Sequence, residues 1–417
     1  MRIQSIRSFG LEMRFISGVA PHMLRAVTHG GTVRLTEVTL DNGAVGWGDG
    51  GKDDRTWEGR SAMQALRSCA DTGVQMACYD AVGKALGEPA HVLMGSQVRS
   101  RVPFAYWTID LPPQNLADQV CHAATLGYRV YKFKCRPWWD PVEQMEAAQA
   151  VAPEGFKLWL DFNGHLKEAR LALPILKRLQ EFTCVGGFES PIPQRDIEGY
   201  QTLRSRLDLP IAAHYAAGAC HVVSEPGWDS GFSGPGQLAA GSADGYVLGG
   251  SDVDRVRATA AVLNEHRRPF WIQTVGTALR AAWVSHLAST CAMAQLSSLA
   301  AHDLWERDVA KGPTVRSGYA DVPTTPGLGV DVDVEAVAEL AAQPAVPAVR
   351  RVSTVIYPDG GRWSFSGEQQ RHEAFYFGRC PGFTPGIRLR VWEDDGSAEF
   401  EALFVSCSAE PMYHEED

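Results

Sequence analysis

Three short apolar runs in the middle of the chain each end in charged or amide side chains, and this pattern constrains the fold more than any other feature. In Tyr128-Arg129-Val130-Tyr131-Lys132-Phe133-Lys134, alternation puts Val130, Lys132 and Lys134 on one face of a strand and Tyr131 and Phe133 on the other. The run Leu158-Trp159-Leu160-Asp161-Phe162-Asn163-Gly164 stays apolar until it delivers an acid and an amide on one face. Val185-Gly186-Gly187-Phe188-Glu189-Ser190-Pro191 ends the same way. Parallel strands joined by helices bring their C-terminal ends to one rim. Lys132, Lys134, Asp161, Asn163 and Glu189 are therefore expected to converge there, and a rim with two carboxylates invites a divalent cation.

The texture on either side agrees with a barrel. From Pro103 onward, short apolar runs alternate with helical stretches at 115–126, 141–151, 166–180 and 197–207, which reads as repeated β-then-α. Pro210 to Tyr215, Tyr246 to Leu248 and Phe270 to Gln273 supply a fifth, sixth and seventh strand, with helices at 252–265 and 278–289. Before the barrel, the alternation from Thr32 to Leu40 turns at Asp41-Asn42-Gly43 into Ala44 to Trp47, a hairpin signal. Val74, Ala77, Cys78, Ala81, Val82 and Ala85 then form one helix stripe, stopped by Gly87 and Pro89. The expected organisation is an α/β chain: an α+β capping domain (1–102), a (β/α)7-8 TIM-type barrel (103–318), a return to the cap (319–349) and a β-rich C-terminal extension (350–417). In the extension, Arg388 to Trp392 and Glu399 to Val405 read as a second hairpin. Such an extension is too short to hide its own apolar face, so it is expected to pack on the barrel or on a neighbouring subunit. The Gly-, Ser- and Pro-rich segment 225–241, with Trp228 and Phe232, reads as a loop over the rim.

Composition narrows the function classes. With 39 basic and 49 acidic residues among 417, the formal charge is −10, which disfavours non-specific binding to nucleic acid or anionic lipid. Met1 to Arg7 lacks the apolar core of a signal peptide and no later run is long enough to span a bilayer, so a cytoplasmic location is expected. The nine cysteines lack Cys-x-x-Cys spacing and read as small core residues rather than disulfides or a zinc site. Further copies of the chain, in a homo-oligomer, are the expected protein partner.

The order Lys132-x-Lys134, Asp161-x-Asn163, Glu189-Ser190-Pro191 resembles the enolase superfamily in its mandelate racemase and muconate lactonizing branch. The resemblance extends to Ala85-Leu86-Gly87 with Leu93-Met94-Gly95, to Ala243-Asp244 leading into Gly249-Gly250, and to Pro326-Gly327-Leu328-Gly329. It implies removal of a proton next to the carboxylate of a small-molecule substrate and stabilisation of the enediolate beside Mg²⁺. On that basis Lys134 is the base, Lys132 tunes it or holds the substrate carboxylate, and Asp161 and Glu189 are metal ligands with Asn163 beside them. Two cations close together favour the neutral amine that a base requires. The family's third ligand is an acid after Pro-Ile-Ala-x-Gly on the fifth strand, where this chain has His214 and Tyr215. An imidazole ligand lowers the site's negative charge and favours a softer ion such as Mn²⁺. Asp244 matches the acid of the family's Asp-His pair, but the seventh strand ends in Gln273, which orients or hydrogen-bonds an oxyanion without titrating. Glu306 is a candidate acid at the eighth strand.

Other readings stand beside these. Asp161 and Glu189 each precede a helical stretch, so the alternative to metal ligation makes them N-caps, against which stands their shared offset at two strand ends. His214 reads alternatively as a hydrogen-bonded rim residue and Asp244 as a surface acid. With one clear base, the simplest chemistry is loss of an α-proton and a β-hydroxyl from the same face, as in a sugar-acid dehydratase. A racemase or epimerase, a cycloisomerase, and a non-catalytic protein of the same fold are the alternatives.

Overall fold

The computed structural model describes residues 1–25, 30–215 and 234–415, so Trp228 and Phe232 of the expected loop 225–241 lie outside the described residues, while its last part is not loop but the helix Gly234–Ala240. The chain opens with an antiparallel sheet of Ile3–Glu12, Thr32–Leu40 and Val45–Asp49, in that order. Helix Thr72–Leu86, carrying the predicted apolar stripe, packs on it. After the barrel, the chain returns to this cap. Leu328 N–H donates to Asp80 Oδ1 (2.8 Å) and Ala90 N–H to Gly327 O (2.7 Å).

Seven parallel strands form the central sheet: Tyr106–Thr108, Val130–Lys134, Lys157–Asp161, Val185–Glu189, Ile211–His214, Gly245–Gly249 and Phe270–Gln273. They neighbour one another in sequence order, the signature of a wound βα repeat. The eighth position is a short bridge. Leu299 pairs with Gln273 and Ser298 with Phe104, both in parallel, and Leu299 N–H to Ile272 O (3.0 Å) and Ala105 N–H to Ser298 O (2.8 Å) close the ring.

Side chains alternate across the sheet as a period of two requires. Tyr131, Phe133, Leu158, Leu160 and Phe188 face the helices in the main core. Ala212, Val247 and Trp271, with Trp159 and Leu296 against them, fill the barrel interior. The Trp159 and Trp271 rings meet edge-to-face at 5.3 Å. Gly187 makes room for this plug, since a Cβ there would lie 2.8 Å from the Trp159 ring. The aromatic plug forms the floor beneath the charged rim.

The C-terminal extension is a four-stranded antiparallel sheet in the order Arg388–Glu393, Arg351–Ile356, Gly361–Phe365, Met412–Glu415, with helices Glu368–Tyr376 and Ala398–Ser408. The expected strand Glu399 to Val405 is thus a helix. Ser397 caps it, its side chain accepting from Phe400 N–H, and the buried Phe400 and Cys407 lie at helical spacing. As expected, the module packs on the barrel. Trp138 and Trp139, from the loop after the second barrel strand, lie in one apolar cluster with Val355, Phe365, Phe375 and Ile387 of the module.

Cap and barrel meet at a buried histidine pair. His286 Nε2 donates to Leu328 O (3.1 Å), which leaves its Nδ1 as the acceptor facing His91 N–H (3.3 Å) and His91 Nδ1 (3.1 Å). Burial, with the His91 ring beside it, pushes the His286 imidazole down to about 4. The unfolded chain binds this proton near pH 6.5 and the folded one only near pH 4, so stability falls as pH drops through that window. Urea unfolding between pH 7 and 4 should show a loss, with His286 contributing about 1 kcal/mol per pH unit. His286→Gln should flatten the slope; an unchanged slope would count against the assignment.

Candidate active site

The second barrel strand turns both lysines into the barrel mouth, where Lys132 and Lys134 are 2% and 4% exposed. Lys134 Nζ donates to Asp161 Oδ2 (2.8 Å) and Asn163 Oδ1 (2.7 Å). Lys132 Nζ lies 2.9 and 2.8 Å from the two Glu189 oxygens, 3.2 Å from Asp161 Oδ2 and 2.5 Å from Gln273 Oε1. The geometry at Glu189 is hydrogen-bonding only toward Oε1. His214 Nε2 approaches the same Oε1 at 3.1 Å. Three strand ends thus deliver two ammoniums and two carboxylates to one point, with the His214 imidazole and the Gln273 amide from two further strand ends at its edge.

Register explains the convergence. Lys134 pairs with Asp161 and Asp161 with Glu189 across adjacent strands, so all three stand at one level of the barrel. The backbone turns sharply just beyond: Asn163 and Ser190 have φ of 45° and 44°, a left-handed conformation uncommon for residues other than glycine. Asn163 N–H donates to Asp161 Oδ1 (3.1 Å), while Asn163 Nδ2 is buried and has no acceptor among the described residues. Asp161 and Glu189 do not cap helices. The following helices begin at Ala169 and Ile197, the latter capped by Asp196.

Burial alone opposes ionisation of Asp161, yet the Lys134 and Lys132 ammoniums beside it hold its carboxyl well below the usual carboxylate range. Among the described residues no three His, Cys, Asp or Glu side chains stand as a ready set of metal ligands. The carboxylates nevertheless converge on a cation, since the Lys132 ammonium occupies the point they share. Two carboxylates and an imidazole are a donor set suited to a divalent ion of intermediate softness, so Asp161, Glu189 and His214 fit one in competition with that ammonium.

Three expected site residues lie elsewhere. Asp244 precedes the sixth strand, at the opposite end of the barrel, where it accepts from Arg204 Nε (2.9 Å) and Ile211 N–H (3.0 Å). Tyr215 follows His214 by one residue and so takes the other face of the sheet, its ring edge-on to Tyr246 at 5.6 Å. Glu306 is exposed and lies beside the cap, its N–H donating to Arg14 O (2.9 Å), whereas the eighth strand position is Ser298 and Leu299.

Other rim residues carried no sequence signal. Gln194 accepts from His214 N–H (2.7 Å) and Ser190 Oγ (3.1 Å), tying the fourth and fifth strand ends together. Asp110, at the end of the first strand, accepts from Arg25 (2.6 Å) and from the indoles of Trp138 and Trp139 (2.7 Å each). Burial works against its ionised form, but Arg25 keeps the carboxyl well below its ordinary range.

A capped parallel barrel with lysines and carboxylates at its strand ends defines a class of active-site scaffold. Residues 115–221 match the family described as enolase C-terminal domain-like, and over part of its length the chain is similar to enzymes of that kind. It is 22% identical to N-succinyl-L-Arg/Lys racemase of Bacillus cereus over 209 residues, covering 42% of this chain and 56% of the relative. With D-galactonate dehydratase of Pectobacterium atrosepticum it shares 28% identity over 154 residues, 34% of this chain and 40% of the relative. The chain thus spans about half the length of these relatives or less. The solved racemase from Bacillus cereus aligns with a TM-score of 0.65 at 15% identity, covering 82% of this chain and 99% of that one. A muconate cycloisomerase from Azorhizobium caulinodans aligns at 0.61 and 21% identity, covering 81% and 98%. No helix among the described residues is long and apolar enough to cross a membrane.

Removing one partner from a buried ion pair leaves an uncompensated charge, at a cost of about 3–5 kcal/mol. Lys132→Met should destabilise the protein by roughly that amount in chelator-treated urea unfolding. The double variant Lys132→Met/Glu189→Gln should lose clearly less than the sum of the single losses. Strict additivity would mean that the two side chains do not interact.

Proposed function

We propose that this chain is an acid–base enzyme that removes the α-proton of a small hydroxycarboxylate, with a sugar acid as the substrate class and dehydration as the outcome. The observation that carries this reading is the placement of Lys134, whose amine meets Asp161 and Asn163 at the barrel mouth while Gly249 and Gln273 end the sixth and seventh strands. A racemase needs a second proton-transfer group on the opposite face, and neither residue titrates. The likeness to D-galactonate dehydratase supports the substrate class.

In this mechanism Lys134, an ammonium in the resting site, first gives up that proton to solvent; its amine then takes the α-proton and the C–H electron pair passes into the carboxylate as an enediolate. Lys132 supplies positive charge to the developing oxyanion, and the Asn163 amide has a free donor for a substrate oxygen. The enediolate then expels the β-hydroxyl. Lys134, now an ammonium on the same face, gives that group a proton, so water leaves, the lysine is neutral again and the enol ketonises to a 2-keto acid. A resident Mg²⁺ or Mn²⁺ held by Asp161, Glu189 and His214 would add charge stabilisation at the substrate carboxylate. The proposed setting is cytoplasmic, with the protein acting as a homo-oligomer.

In deuterium oxide, a substrate from a panel of sugar acids should yield a 2-keto acid that carries solvent deuterium at the carbon next to the keto group, and recovered substrate should exchange its α-hydrogen with retention of configuration. Lys134→Ala should lose at least about 100-fold in that rate while retaining its fold. Exchange that persists in Lys134→Ala would relocate the base. No exchange with any acid of the panel would favour a non-catalytic binding protein.

A further inference from the structure

We propose that the C-terminal module is part of the active site, with His372 as a positioning residue whose bond to His165 sets the turn that holds Lys134. The proposal rests on the reading of Lys134 as the functional lysine. His372 lies outside the residues that match the family, 115–221, whereas His165 and the turn lie within them.

The module grips both loops that leave the reactive strands. After Lys134, Trp138 is fully buried. Its indole donates to Asp110 (2.7 Å), the Arg371 guanidinium lies 4.3 Å over its ring, and His372 meets it edge-on at 4.9 Å. Phe383 N–H donates to Pro137 O (2.8 Å) and Gly386 N–H to Asp140 Oδ2 (2.8 Å). After Asp161, Phe162 packs edge-on against Phe383 at 5.7 Å. His165 Nε2 lies 3.1 Å from His372 Nδ1.

This second grip falls on a strained turn. Asn163 and Lys167 both have positive φ, 45° and 67°, and such residues keep that conformation only where their surroundings over-determine it. The turn matters because Asn163 supplies one of the two acceptors for the Lys134 ammonium. The turn is also held by Asn163 N–H on Asp161 Oδ1 (3.1 Å) and by backbone bonds to the next strand end, Gly164 N–H to Ser190 O (2.7 Å) and Leu166 N–H to Pro191 O (3.1 Å), while the His165 ring meets Trp138 and Tyr376 of its surroundings edge-on.

The imidazole order follows from the acceptor at its far end. Glu368 Oε1 stands 3.5 Å from His372 Nε2, which favours the proton on that nitrogen and leaves Nδ1 as a lone pair. His165 Nε2 then donates. The line from Glu368 through His372 to His165 thus favours one tautomer and holds both rings at the turn.

Competitive acylation of the intact protein by acetic anhydride, read lysine by lysine by mass spectrometry, tests this without a substrate. In His372→Ala the Asn163 turn should loosen and the acylation rate of Lys134 should rise about tenfold, the equivalent of losing one hydrogen bond to a charged group. Lys132, held mainly by Glu189 and Gln273, should keep its rate. His372→Gln, which retains a side-chain acceptor, should restore much of the protection. An unchanged Lys134 rate in a folded His372→Ala protein would overturn the proposal. So would an equal rise at both lysines, which would report general loosening. Inactivity toward every sugar acid would leave this readout intact, so the two readings fail separately.

Discussion

The structure depends on pairing four buried charges at one level of a barrel. Removing an ammonium or a carboxylate from water is costly by several kcal/mol even after relaxation, and here two of each are almost fully buried. They are tolerated because register sets them face to face: Lys134 on Asp161, and Lys132 between Asp161 and Glu189. Taken alone, the group is formally neutral. The Lys132 ammonium occupies the place the two carboxylates share, and the His214 beside Glu189 offers an imidazole rather than a further negative charge.

The rest of the fold keeps that arrangement in place. Trp159 and Trp271 close the floor beneath it, so the lysines face a dry surface below and the rim above. Gln194 and the turns at Asn163 and Ser190 fix the strand ends. The appended module adds a hold on two of the loops that leave them. Function and stability therefore share the same side chains, and a substitution at Lys132 or Glu189 changes both.

Much of this was legible in the sequence because it depends on periods of two and on where apolar runs end. Lys132, Lys134, Asp161 and Glu189 were read as one inward set for that reason, and the structure brings them together. The failures are failures of register. Tyr215 was placed on the rim, yet one residue past His214 a strand presents its other face. Asp244 lies before its strand rather than after it, and a dipeptide match before Gly249-Gly250 does not distinguish the two ends. Glu306 was assigned to an eighth strand that is reduced to a two-residue bridge without an acid. The segment Glu399 to Val405 alternates in part, but Phe400, Phe404 and Cys407 also satisfy a helix, and the cap at Ser397 decides for the helix. Gln194, Asp110 and the pair of His165 with His372 had no local signal, because their partners lie far along the chain.

The central claim is that Asp161 and Glu189 form a cation site filled in the resting protein by the Lys132 ammonium. Calorimetric titration with Mn²⁺ tests it most directly. The account predicts one ion per chain in the parent protein, loss of binding in Asp161→Asn and Glu189→Gln, and tighter binding in Lys132→Met, where the competing ammonium is gone. Binding that is indifferent to the two carboxylates, or weaker in Lys132→Met, would contradict it.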